Sequence, residues 1–129
     1  MHLPRRLFLP FLAAASLSFA AGCGNHEATP ISPDFAGRLA AAEAISSTTE
    51  ADEALVAIAI DAGKEGYADV ARKAIRAISS QTVADSAAAE AAVALARSGD
   101  AMQATELADL ISSSVMRDTT LSKIATRGD

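Results

Sequence analysis

Near its middle, this chain begins to write the same string again every 33 residues, without a gap. Ile45-Ser46-Ser47 returns as Ile78-Ser79-Ser80 and as Ile111-Ser112-Ser113. Asp52 returns as Asp85 and Asp118, and Gly66 returns as Gly99. Residues 45–77 and 78–110 share eleven identities, against roughly four expected by composition for so alanine-rich a pair. A period of this length restricts the fold sharply. Each copy must form the same small unit, and the units must bury their apolar faces on one another.

Within a unit the apolar residues follow helical spacing. In the first copy they are Leu55, Ile58, Ala59 and Ala62, then Ala71, Ile75 and Ile78; in the second, Ala88, Ala91, Ala92 and Leu95, then Ala104, Ala108 and Ile111. Recurrence at i, i+3, i+4 and i+7 marks one buried face of a helix. The pattern predicts an all-α chain of six helices, over about 34–46, 50–64, 67–79, 83–97, 100–112 and 116–126. Ser32-Pro33-Asp34 is a helix start, with Ser as cap, Pro in the first turn and an acid at the positive dipole end. Thr49-x-x-Asp52 and Thr82-x-x-Asp85 read as capping boxes with Asp in place of Glu. In the third copy Val115 replaces the threonine, and Ser114 is the expected cap. Gly66 and Gly99 are placed to end the second and fourth helices in a left-handed conformation.

This unit resembles the tetratricopeptide repeat, a helix-turn-helix element one residue longer. The resemblance covers two whole units, a preceding second helix (Arg38, Ala42, Ile45) and a following first helix (Leu121, Ile124, Ala125). Small residues fall where that family brings helices close, at Ala59, Ala92 and Ala125 and at Ala71 and Ala104. The family's Trp/Tyr positions hold smaller groups here, and its proline near the repeat end is missing. The resemblance implies a right-handed α-solenoid of tetratricopeptide-like helix pairs, about six antiparallel helices filling 33–129. Another α-solenoid or an irregular six-helix bundle would satisfy the same spacing.

Upstream of the repeats, Met1–Arg6 is a basic segment and Leu7–Ala21 an apolar one broken only by Ser16 and Ser18. That run is short for a membrane span and has the form of a signal peptide over 1–22. Its ending, Ala20-Ala21-Gly22-Cys23, resembles the lipobox of bacterial lipoproteins, with Ala20 where Leu is usual. The resemblance implies diacylation of Cys23, which would become the first mature residue and carry a palmitate-type anchor. Ordinary signal peptidase cleavage after Ala20, with a free Cys23, is the other reading. Arg5-Arg6-Leu7-Phe8-Leu9 resembles a twin-arginine export motif and is equally a plain basic n-region. Residues 23–32 form a polar tether interrupted by Pro30. The expected location is the bacterial cell envelope, lipid-anchored on the periplasmic face. Gly24 after the cysteine resembles the signal for the outer membrane.

Charge and side-chain inventory narrow the function. From Cys23 onward, nine Lys/Arg against sixteen Asp/Glu leave a net charge of −7. That excludes the basic footprint a nucleic acid requires. The single cysteine cannot form an internal disulfide. His26 is the one histidine of the mature chain and lies in the tether, where no rigid element holds it against a nucleophile. No phosphate loop, calcium loop or His/Cys metal set is present. The acids at Glu50, Asp52 and Glu53 suit a helix start. The sequence therefore speaks against an enzyme, and it calls for no cofactor and no metal.

A tetratricopeptide register would line a concave face with Val56, Ile60 and Lys64 from one unit beside Ala89, Val93 and Arg97 from the next, followed by Ser122 and Thr126. Such a strip would take a peptide or helix of a partner protein, the two cations favouring carboxylates on it. Lys64 and Arg97 also suit the negative ends of their helices without any ligand. The expected function is a membrane-tethered protein-interaction module. The alternative is a structural lipoprotein whose Ala-rich end helices stack between copies. Metabolic labelling checks the anchor: palmitate should be incorporated into the chain and lost in Cys23→Ala.

Overall fold

The computed structural model describes residues 32–126, so Cys23 and the signal peptide expected over 1–22 lie outside the described residues. These fold into six α-helices with no strand among them. The helices are α1 (Pro33–Glu43), α2 (Thr48–Glu65), α3 (Ala68–Ala77), α4 (Gln81–Arg97), α5 (Ala101–Ala108) and α6 (Ser114–Ala125). All six expected helices exist. Their boundaries differ from expectation in one systematic way: α3 and α5 end early, and α4 and α6 begin about two residues early. The cause is the Ile-Ser-Ser string, which forms the turn between units rather than the last turn of a helix. Ile78 is extended, with φ −67° and ψ 128°, and Ile78 and Ile111 are buried.

The second serine of each string is the N-cap residue. Ser47 and Ser113 accept hydrogen bonds from the Glu50 and Met116 N–H groups at 3.5 and 3.4 Å. The expected capping boxes are therefore wrong: Thr49 and Thr82 already lie inside their helices, and the third copy is capped by Ser113 rather than Ser114. Ser32 is the N-cap of α1, with Pro33 in its first turn, but its hydroxyl makes no cap bond.

Both turn glycines sit in the left-handed region, Gly66 at φ 84° and Gly99 at φ 107°. After Gly66 the Tyr67 N–H donates to the Ala62 carbonyl at 2.8 Å; 33 residues on, the Asp100 N–H donates to Leu95 at 3.3 Å. These six-residue closures satisfy carbonyls that the helix end leaves open.

The helices pack in two sets. α2 packs on α4 and α4 on α6, while α3 joins α2 and α4, and α5 joins α4 and α6. Every apolar repeat position named above for the two whole units is buried. Much of that core is alanine. Small side chains let helix backbones approach closely, which compensates in contact for the area that larger residues would bury. One close approach is at Gly63 of α2, where a Cβ would stand 2.6 Å from the Ala91 carbonyl oxygen of α4. At the N-terminal end, α1 is tied to α2 by Arg38 and Asp61 at 2.8 Å. The Arg38 guanidinium also lies 5.3 Å from the Phe35 ring centre, and Phe35 meets Tyr67 edge-on at 5.5 Å. The two aromatic residues of the described chain thus fill one joint.

Two glycines test this packing in opposite directions. Gly63→Ala should destabilise by about 1 to 2 kcal/mol, because helix propensity gains less than the backbone clash costs. Gly37→Ala, in α1 with nothing near its missing Cβ, should stabilise by about 0.5–1 kcal/mol. Urea unfolding followed by circular dichroism measures both.

Candidate functional site

The repeated aspartate does something the sequence reading did not foresee. Asp52 leaves α2 sideways and accepts two backbone N–H groups of the next unit, from Ser79 at 2.8 Å and Ser80 at 3.0 Å. Asp85 does the same one repeat later, accepting from Ser112 at 3.0 Å and Ser113 at 3.1 Å. Both carboxylates are buried, at 7% and 6% exposure. Each therefore presents its charge to the positive end of the following first helix, α4 or α6. Gln81 adds a third donor to Asp85 at 2.8 Å. Burial is the largest influence on the Asp85 carboxyl and pushes its pKa up. The Ser112 N–H, the Gln81 amide and the Ser113 N–H together outweigh it, and the pKa lies below the ordinary 3.8.

The first of these clamps forms a wall of a groove between α2 and α4. It has a volume of about 660 Å³. Val56 and Val83 supply its apolar surface, with Thr48, Thr49 and Glu53 on the α2 side. One repeat on, a groove of about 450 Å³ opens between α4 and α6, lined by Ala89, Met116 and Val115 with Glu90 and Lys123 among its polar residues. Positions 56 and 89, 53 and 86, 80 and 113, and 83 and 116 are each one repeat apart. A groove thus opens at the same place twice, with Glu53, Val56 and Val83 of the first replaced by Ser86, Ala89 and Met116 in the second.

Of the residues expected to meet a partner, Val56 and Ala89 line these grooves. Ile60 and Val93 are half-buried further along the same helices, and Lys64 is exposed in the last turn of α2. Arg97 lines a separate cavity of about 400 Å³ with Ala96, Gly99, Ala101 and Ile124. Ser122 and Thr126 are exposed, the Thr126 hydroxyl donating to the Ser122 carbonyl. The structure thus brings Val56 to Val83 and separates it from the two cations.

At Gly63, near the Lys64 end, α2 comes close to Ala91 of α4. One repeat on, Ala96 and Ile124 stand at the equivalent positions, and both line the cavity at Arg97. Following the α2 face from Val56 toward its N-terminus, to Glu53 and Thr49, would have found the groove in the sequence.

Among the described residues, no three His, Cys, Asp or Glu side chains converge on a metal position. No described helix is long and apolar enough to cross a membrane. No protein-family model, curated protein or solved structure matches this chain.

Two predictions follow the clamps. Asp52→Ala and Asp85→Ala should each cost about 1.5–3 kcal/mol, the range for hydrogen bonds to a buried charge. Asp118→Ala, exposed, should stay within about 0.5 kcal/mol of wild type. Because the folded-state pKa of Asp85 is lowered, its stabilisation is full above the unfolded value and fades as pH falls through the folded one. The urea-midpoint difference between wild type and Asp85→Asn should accordingly be present at neutral pH and shrink below about pH 4.

Proposed function

We propose that this protein is a lipid-anchored protein-interaction module of the bacterial cell envelope, built as a right-handed solenoid of tetratricopeptide-like helix pairs. The observation that carries the reading is the recurrence of one groove at equivalent positions on consecutive units. A surface repeated at a fixed interval suits an extended ligand that is itself a chain. Neighbouring packed helices lie roughly 8–10 Å apart, a spacing that side chains about three residues apart on an extended segment can meet.

The groove chemistry defines the segment. Val56 and Val83 take aliphatic side chains, and Glu53 beside them favours a basic residue. Asp52 is not available to the ligand, since its carboxylate is spent on Ser79 and Ser80. The segment is therefore aliphatic and carries a basic residue where it passes Glu53. Binding rather than turnover is the proposed activity. The anchor at Cys23, with residues 24–32 as tether, would hold the grooves near the periplasmic face of the membrane.

A photo-crosslinking side chain placed at Val83 in living cells should give a discrete adduct that Glu53→Lys weakens. The same side chain at Lys73, exposed on α3, should give none. Equal adducts from both positions would refute the groove as the docking site.

A further inference from the structure

Three repeat positions are buried in the first two copies and uncovered in the third. Asp52 and Asp85 are buried, but Asp118 is exposed; Ala59 and Ala92 are fully buried, but Ala125 is exposed. Leu55 and Ala88 are buried, but Leu121 is only half-buried. For the aspartates the cover is the Ser-Ser turn of the unit that follows, and no described helix follows α6.

The missing complement is present at the other end of the chain. Inside the array each aspartate faces a Ser-Ser pair 27 and 28 residues ahead. Ser46 and Ser47 are a third such pair, and no described carboxylate accepts from their N–H groups. The Ser47 backbone already has the receiving conformation. Ser47 sits at φ −80° and ψ 118°, against −84° and 118° for Ser80 and −72° and 114° for Ser113, both of which meet an aspartate. The chain thus exposes an acceptor at one end and, at the other, donors in the geometry its own internal joints use.

We infer that a second copy of this chain supplies both complements: Asp118 of one copy receives the Ser46 and Ser47 N–H groups of the next, head to tail. In this contact α6 packs on α2 of the following copy as α2 packs on α4 within the chain. The two surfaces differ, so the contact is heterologous and leads to open rows of copies rather than closed two-fold pairs. Arg38 stands one repeat before Ala71 and two before Ala104, where those alanines permit close approach. Held by Asp61 and Phe35, it keeps α1 from closing on α6 as α3 closes on α2. The association is therefore reversible and weaker than the internal joints. It uses the end faces of the array and does not rest on the groove reading.

Sedimentation of the full chain in density-matched detergent, over concentrations up to about 1 mM, tests this. Wild type should form species larger than dimers as concentration rises. Asp118→Ala should weaken association by about tenfold or more, and so should Ser47→Pro, which removes one donor at a φ that proline tolerates. Mixed together, the two variants should form dimers and nothing larger, because only one intact joint can be made from their ends. A wild-type monomer throughout would overturn the inference. So would an Asp118→Ala chain that associates like wild type, which would assign the contact to another face or to residues 1–31. Circular dichroism melts confirm folding of both variants, and Asp118→Ala, on an exposed side chain, decides the matter alone if Ser47→Pro unfolds.

Discussion

The joint between units depends on one carboxylate meeting two consecutive backbone N–H groups. A turn that breaks a helix leaves donors exposed, and burying them between packed helices would be costly without an acceptor. Asp52 and Asp85 provide it from the preceding unit, so a local cap becomes a long-range tie. The surrounding alanines bury little area each and bring no directional preference of their own. Orientation between units must come from something specific, and these charged hydrogen bonds are directional where alanine contacts are not.

The all-helical class, the number of helices, the glycine ends and the alanine face were legible in the sequence because each follows from local rules. Periodicity places a buried face, and a left-handed turn favours glycine, whatever the partner. The role of Asp52 was not legible by the same logic. Three residues after Thr49 and at a helix start, it satisfied a local rule, and only the packing of α4 beside α2 reveals its true acceptors. The Ile-Ser-Ser string misled for the same reason. It continued a helical pattern of apolar spacing, while its backbone was needed by an aspartate in another helix. Pairings between units are set by how helices stack, and a single chain's local spacing does not carry that information.

The candidate site shows the same division. Val56 was legible as a surface apolar residue on the right helix face, but the groove's extent was not. Gly63 comes close to Ala91 of the next unit, and one repeat on Ala96 and Ile124 stand in their places beside an open cavity. A repeat protein can thus keep one scaffold and still vary its surface from unit to unit, by changing buried residues as well as exposed ones.

Each unit carries both halves of its own fastening, the serine pair at its start and the aspartate a few residues later. The pair answers the unit before, and the aspartate reaches the unit after. Duplicating one 33-residue segment in frame would therefore insert a unit that already carries both hydrogen-bonding halves, leaving only its buried small residues to be matched to new neighbours. Length in such a chain can change by recombination, each added unit bringing its own fastening.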